Sequence, residues 1–333
     1  MNIRLRIVTV VTLFAIGTVA VVLWAPTVGS TSISLAKAFD RSIPWEENVD
    51  AQIFFVARLP RVLSGALVGA TLAAAGVVLQ AMLRNPLATP FTLGVSAGGA
   101  LGAMLAIAFG LEVGMMGVSS IPIASFAGSL VAIGIVYWLA SSQKRGLSTN
   151  VLLLAGVTLN SFFSALILFV QYLSDFTESF RTIRWLMGDL DVGSYSPIIA
   201  ALPFVVAAFA VFAILPRTLN VLTLGDDVAA ARGVEVLRAQ RLAFLSASLA
   251  TGAAVSLGGP IGFIGIIVPH LVRLVVGSDH RIVLPAAALF GAAFTVLCDL
   301  GARTIMAPLE LPVGIITALI GGPFFLWLLV KKS

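Results

Sequence analysis

Long apolar runs, separated by short clusters of charged, glycine or proline residues, repeat along the whole chain. Most runs have about the 17–25 residues that a helix needs to cross the hydrocarbon core of a bilayer. The pattern predicts an all-α, polytopic membrane protein with about ten transmembrane helices. The predicted spans are residues 7–25, 62–83, 92–110, 121–140, 151–173, 197–215, 240–257, 263–277, 283–300 and 313–330.

Composition supports a membrane protein and limits its chemistry. The 333 residues are 59% hydrophobic and 11% charged, whereas soluble domains carry roughly a quarter charged residues. We expect a single transmembrane domain over residues 1–333, because no segment is typical of a second, soluble domain. The one cysteine, Cys298, excludes an internal disulfide framework, and no metal-ligand pattern is present, so we expect no bound metal.

The basic residues predict the orientation, because cytoplasmic connections are enriched in Lys and Arg. If the N-terminus is cytoplasmic, 13 of the 20 basic residues lie inside: Arg4, Arg6, Arg84, Lys144, Arg145, Arg217, Arg232, Arg238, Arg241, Arg273, Arg281, Lys331 and Lys332. An even number of spans then places both termini in the cytoplasm. The basic residues occupy gaps between spans and form no single patch, which argues against nucleic-acid binding.

Two of the predicted spans differ from the rest. The first, residues 7–25, follows two arginines as a secretory signal would, but it is long enough to span and many similar runs follow it. We expect it to be a retained span. The eighth, residues 263–277, is short and contains Pro269, His270 and Arg273. Irregular backbone there requires burial in protein or a wet cavity.

The spans contain few ionisable groups, whereas ion-coupled carriers commonly use an intramembrane acid or histidine. No motif of a membrane enzyme is present. The glycine-rich segment 94–102 lacks the Gly-Lys-Ser/Thr ending of a phosphate loop, so ATP hydrolysis would require another chain. The spacing of Gly65 with Gly69, and of Gly94 with Gly98 and Gly102, favours close helix packing within one bundle.

The main inner connection, residues 216–239, contains a predicted short helix. Gly225, Asp226 and Asp227 are typical of a helix N-terminus, and Gly233 is well placed to end the helix after Ala231. Such a helix serves either as a simple connector or as a rigid handle for a soluble motor protein.

Several distinctive blocks of sequence follow one another from residue 58 to the C-terminus. The blocks are Arg58-Leu-Pro-Arg61, Arg84-Asn-Pro-Leu-Ala88, Leu93-Gly-Val-Ser-Ala-Gly98, Trp185-Leu-Met-Gly188, Leu224-Gly-Asp226, Gly259-Pro-Ile-Gly-Phe-Ile-Gly265, Val268-Pro-His270, Gly277-Ser-Asp-His-Arg281, Glu310-Leu-Pro-Val-Gly314 and Gly322-Pro-Phe-Phe325. In this order the blocks resemble the FecCD-type permeases for iron chelates, haem and vitamin B12, which are the transmembrane subunits of type II ABC importers.

The resemblance implies a non-enzymatic permease subunit in the bacterial inner membrane. It implies pairing with a second permease subunit, expected to be an identical copy, so that the pathway lies between the two. Two ATP-binding cassette subunits, which carry ATP and Mg, would dock in the cytoplasm, and this chain would bind no cofactor itself. A periplasmic or lipid-anchored substrate-binding protein would deliver an iron chelate (siderophore or haem) or cobalamin, and transport would follow alternating access.

The resemblance also assigns residues to three sites. Exposed arginines on the outer face would receive acidic residues of the binding protein, although pairing with Asp50, Glu310 or lipid headgroups is an alternative; they are Arg58, Arg61 and Arg303. The coupling helix, about residues 224–233, would be carried by Leu224, Gly225, Asp226, Ala229, Ala230 and Gly233, with the small alanines allowing close approach of the cassette. A cytoplasmic gate would include Asn85, Leu87, Thr149 and Asn150; relatives can carry a small hydroxyl residue where this chain has Asn150.

Two other classes of function stay open at this stage. A proton-coupled secondary carrier for a small metabolite would have a functional acid within a span and would work without nucleotide. A membrane scaffold would transport nothing. The sequence does not distinguish among ferric siderophore, haem and cobalamin.

Overall fold

The computed structural model describes residues 3–111, 118–141 and 147–332, and these form helices joined by short connections. No β-strand occurs among the described residues, which confirms the all-α prediction. The helices are α1 (Ile3–Trp24), α2 (Leu35–Ala38), α3 (Val49–Gln52), α4 (Leu59–Met82), α5 (Val95–Ala108), α6 (Ser120–Ser141), α7 (Thr149–Leu173), α8 (Phe176–Leu186), α9 (Ser196–Ile214), α10 (Pro216–Leu222), α11 (Asp226–Ala231), α12 (Val236–Gly258), α13 (Ile264–Val276), α14 (His280–Thr304) and α15 (Val313–Lys332).

Seven helical segments of the described chain are long and apolar enough to cross a membrane. They are Arg4–Thr27, Val49–Met82, Ser120–Ser141, Thr149–Leu173, Ser196–Ile214, Val236–Gly258 and His280–Thr304. Three further apolar segments, Val95–Ala108, Ile264–Val276 and Val313–Trp327, are shorter. The chain is therefore a multi-pass membrane protein, while the total of ten crossings and the cytoplasmic termini stay predictions.

Two long connections, 26–61 and 174–196, contain helices that the pattern of apolar runs did not predict. In the first, α2 and α3 precede a turn of π-helix, Ile53–Arg58, that continues directly into α4. In the second, α8 begins where Asp175 accepts a hydrogen bond from the Glu178 amide at 2.8 Å. α8 is short and mixes apolar with charged residues, so it lacks the long apolar run by which spans are recognised.

Helix α4 lies at the centre of the bundle, packed against α12, α13 and α14. Small residues permit this packing, because a Cβ at Gly69 would overlap the Gly291 carbonyl oxygen of α14 and one at Gly76 would overlap the Gly265 carbonyl oxygen of α13. The prediction that the Gly65 and Gly69 pair serves packing within one bundle is confirmed.

In the second glycine series, Gly98 and Gly102 serve close helix packing as predicted, but Gly94 does not. Gly98 and Gly102 lie on α5 and pack closely against Gly128 and Ala124 of α6. Gly94 is not part of this helical face, because it precedes α5 with φ of +75°, a left-handed conformation that ends the preceding 3₁₀ turn.

Helix α13, which falls in the predicted eighth span, begins inside the bundle instead of at its surface. The side-chain amide of Gln80 on α4 donates to the Gly265 carbonyl at 2.9 Å. The preceding non-helical segment, 259–263, packs against other parts of the protein: Gly259 lies beneath the Trp185 carbonyl and Phe263 lies against Gly321. This irregular backbone packs within the protein, one of the two settings that the sequence allowed, but it precedes α13, which is a regular helix through Pro269 and Arg273.

Long-range contacts define two opposite ends of the bundle. One end, called the α11 face, gathers the start of α1, where Arg6 donates to the Val276 carbonyl at 2.9 Å, together with α10, α11 and the α13–α14 connection. The other end, called the Arg61 face, gathers the α1–α2 connection with the start of α4 and the end of α14. The predicted inner residues Lys144 and Arg145 lie outside the described residues.

Candidate functional sites at the two ends of the bundle

The short helix predicted in the inner connection is present as α11, Asp226–Ala231. Gly225 precedes it with φ of +116°, and Gly233 follows with φ of +79°, so glycine allows a sharp change of direction at both ends. Asp226 and Asp227 occupy the first turn, where carboxylates oppose the positive end of the helix dipole. The local chemistry that predicted this helix is thus confirmed.

Two hydrogen bonds to the Asp226 carboxylate attach α11 to the rest of the bundle. Asp226 accepts from the Arg84 guanidinium, just beyond the end of α4, at 3.3 Å, and from the Gln240 amide of α12 at 3.5 Å. A displacement of α11 therefore acts directly on both of these long helices.

The expected role of Ala229 in close approach by a partner is wrong in this structure. Its side chain is fully buried (0% exposed) against the rest of the chain, because it faces the body of the bundle. The outward surface of this region includes Leu224, Val228 and Ala230, which are all exposed. These residues are accessible to a partner, whereas Ala229 is not.

At the Arg61 face, two arginines share one buried carboxylate. Arg61 Nε on α4 lies 3.0 Å from Asp299 Oδ1 on α14, and Arg303 Nε lies 3.7 Å from Asp299 Oδ2. The second side of the Arg61 guanidinium bonds Glu310 Oε2 at 2.5 Å. These ion pairs join the start of α4 and the end of α14 to the connection before α15.

The expectation that the three outer arginines are exposed is also wrong: Arg58, Arg61 and Arg303 are 6%, 7% and 3% exposed. Arg58 donates to the Pro26 carbonyl at 3.2 Å and to that of Thr31, and Arg303 donates to the Ala25 carbonyl at 2.9 Å. Among the alternative partners, Glu310 is confirmed for Arg61. Arg58 and Arg303 thus hold the connection after α1 in place by donating to its backbone carbonyl oxygens.

The four predicted gate residues lie in two segments near the α11 face. Asn85 accepts from the Leu87 amide at 2.9 Å and so shapes the turn after α4, which leaves the Leu87 side chain exposed. Thr149 and Asn150 begin α7. No hydrogen bond joins the two segments among the described residues, and the gate role of the four residues stays a prediction.

A further polar cluster on the α11 face was not predicted as a site. Arg273 donates to Gln80 at 2.6 Å, and Asn220 of α10 donates to Asp279 at 2.8 Å. A hydrogen bond from the Arg281 side chain holds the pKa of Asp279 well below its usual range. The sequence feature that could have indicated this cluster is Arg273, a charged residue within the short predicted span 263–277. The described residues contain no group of three His, Cys, Asp or Glu residues able to hold a metal ion.

Comparison with known proteins agrees with this architecture. The chain is 48% identical over 280 residues to the cobalamin import system permease protein BtuC of Halobacterium salinarum, covering 83% of this chain and 73% of that protein. It is 39% identical over 277 residues to the hemin transport system permease protein HmuU of Yersinia pestis, covering 83% and 82%.

A solved structure described as an inward-facing conformation of a metal-chelate type ABC transporter superposes with a TM-score of 0.83. That protein is 32% identical, and the match covers 98% of this chain and 99% of the other. The family model that describes the FecCD transport family matches residues 17–331. A match over nearly the whole chain, together with these relatives, shows that the protein belongs to the FecCD transport family.

Proposed function

We propose that this chain is the permease subunit of an ATP-binding-cassette importer that takes up an iron chelate, haem or cobalamin. The observation that carries the proposal is α11, a short helix with an exposed outer surface that is tied through Asp226 to α4 and α12. The relatives are named as permeases for cobalamin and hemin, which supports this substrate class.

In the proposed assembly, the chain crosses the bacterial inner membrane ten times with both termini in the cytoplasm, and the α11 face is cytoplasmic. Two copies form the pathway between them. Two cassette subunits bind ATP and Mg and grip α11, while a substrate-binding protein docks on the Arg61 face. Closure of the cassettes moves α11, and its ties carry the motion to α4 and α12, so that the pathway opens alternately to each side.

Docking of the binding protein through Arg58, Arg61 and Arg303 stays part of the proposal, with one change in its mechanism. These guanidinium groups already bond within the chain, so a partner carboxylate has to displace Glu310 or a loop carbonyl oxygen. Glu310 is half-exposed and is therefore the group that exchanges most readily. In this mechanism, docking replaces the Glu310 carboxylate on Arg61 with a carboxylate of the binding protein.

Reconstitution into vesicles with the cognate cassette and binding protein tests the proposal and identifies the substrate. Haem, a ferric siderophore and cobalamin are offered separately, with and without ATP. We expect one of them to accumulate only when ATP and the binding protein are present. Uptake driven by a proton gradient without nucleotide would instead support a secondary carrier.

A further inference from the structure

A polar cavity of about 600 Å³ opens on the α11 face beside the start of α11. The end of α4, the end of α10, α13 and the start of α14 surround it. Its rim residues Arg84, Thr223, Leu224 and Ser278 are exposed, so the cavity is reached from the same side as α11. The lining consists of Gln80, Ala81, Arg84, Asn85, Pro86, Asn220, Thr223, Leu224, Arg273, Ser278, Asp279 and His280.

Most of the charges in this cavity are already balanced. Arg84 is paired with Asp226, and Asp279 is paired with Arg281 at 2.6 Å. The His280 ring lies 2.7 Å from the Asn220 side-chain oxygen.

Arg273 is the exception, because the described residues include no ion pair to its guanidinium. Its one hydrogen bond among them goes to the neutral Gln80 side chain, at 2.6 Å. Its place in the last turn of α13 provides some compensation, but a helix C-terminus supplies only about half a negative charge. A half-buried guanidinium charge without a nearby carboxylate costs free energy unless an anion binds to it.

The Arg273 guanidinium is also held in a fixed position. Gln80 accepts from Arg273 through its oxygen and donates to the Gly265 carbonyl through its nitrogen, so both ends of the amide are engaged. The guanidinium retains N–H donors with no acceptor among the described residues. Arginine presents its donors as a planar fork that matches a carboxylate, and a fixed fork loses little freedom on binding.

We propose that the Arg273 cavity receives a carboxylate side chain of the ATP-binding cassette subunit, as a second contact beside the one on α11. The inference rests on the proposed function. It is favoured by the cavity's net positive charge and by its opening beside Leu224, where a subunit that grips α11 has to lie. This contact couples the cassette to α13 directly, in addition to its coupling to α4 and α12 through Asp226.

Binding measurements on the full-length permease with its cassette subunit test this contact. Arg273→Gln is compared with Arg241→Gln, which removes an exposed arginine of α12 outside the cavity lining. We expect Arg273→Gln to weaken cassette binding by about tenfold or more, since it removes one partner of a buried charge pair, and Arg241→Gln to have little effect. Equal effects of the two variants would overturn the inference.

Arg273→Lys provides a second test that keeps the charge and so protects folding. A carbodiimide activates a carboxylate in contact with a lysine amine; the amine then forms an amide bond, and the reagent leaves as a urea that carries the displaced carboxylate oxygen. We expect a covalent permease–cassette product with Arg273→Lys and none at this position with Arg273→Gln, identified by mass spectrometry of the joined peptides. A bond only to Asp279 of the permease itself would overturn the inference.

Ala230→Trp separates failure of this inference from failure of the proposed function, because Ala230 is exposed on α11 and lies outside the cavity lining. If the cassette grips α11, this variant abolishes binding. Loss of binding with Ala230→Trp but not with Arg273→Gln would overturn the cavity contact alone. Normal binding with Ala230→Trp would overturn the proposed function and the inference with it.

Discussion

Asp226, in the first turn of α11, accepts a hydrogen bond from Arg84, just beyond the last turn of α4, at 3.3 Å. The two residues are 142 positions apart in the chain. Both side chains are substantially exposed, so the pair adds little stability, less than about 1 kcal/mol. Its value lies in position, because it connects a helix on the surface to the helix at the centre of the bundle.

Arg84→Gln is expected to reduce ATP-driven uptake several-fold while leaving folding nearly unchanged, because it cuts the connection between α11 and α4. Uptake and the apparent Tm in detergent are measured on the same preparations. The exchanged pair, Arg84→Asp with Asp226→Arg, should recover part of the uptake. A loss that is purely additive in the double variant would contradict a direct coupling between the two side chains.

Asp299→Asn is expected to destabilise the protein by about 3 kcal/mol, because it leaves Arg61 and Arg303 without their shared buried carboxylate. Glu310→Gln is the matched control: it removes the other acid of the same network, which is half-exposed, and should cost under about 1 kcal/mol. Unfolding in denaturant, followed by tryptophan fluorescence, compares the two. Similar losses would show that burial does not govern this network.

Glu310→Gln also tests the docking surface. If a carboxylate of the binding protein displaces Glu310 from Arg61, removing this competitor should strengthen docking several-fold. Surface plasmon resonance of the binding protein on reconstituted permease gives the affinity. Unchanged or weaker binding would mean that docking does not use the Glu310-facing side of Arg61.

Gly76→Ala is expected to disturb the core, because the added methyl group overlaps the Gly265 carbonyl oxygen and backbone atoms cannot move away easily. The cost should be about 1–3 kcal/mol or more. Gly134→Ala on α6 is the control, since no heavy atom beyond the local backbone of its own helix lies within 4 Å of its added Cβ. The apparent Tm of both variants in detergent provides the comparison, and equal values would refute the close approach of α4 and α13.

Local chemistry made some features predictable and not others. The bounds of α11 could be predicted because Gly225, Asp226 and Gly233 act on their own neighbours in the chain. The pairing of Arg61 with Asp299 joins residues 238 positions apart, and no local pattern distinguishes a buried arginine from an exposed one at a span end. The burial of Ala229 could not be predicted for a related reason. A helix of only 6 residues is too short for a periodic pattern of apolar residues to indicate which side faces the bundle.

The α13 segment illustrates both outcomes. Pro269 and Arg273 indicated irregular backbone within the span, but α13 is continuous through both residues, and the irregular backbone, 259–263, precedes the helix. Only the tertiary structure shows how the segment is accommodated: the helix begins against Gln80 and Gly76 of α4, and the Arg273 side chain lies in a polar cavity.

ATP dependence of uptake tests the central claim most directly. Vesicles contain the permease, its cassette subunit and the binding protein loaded with the accepted substrate, and the phosphate-loop lysine of the cassette is replaced in a parallel preparation. We expect uptake with the intact cassette and ATP, and none with the lysine variant. Equal uptake in the two preparations would contradict the assignment of this chain as the permease of an ATP-driven importer.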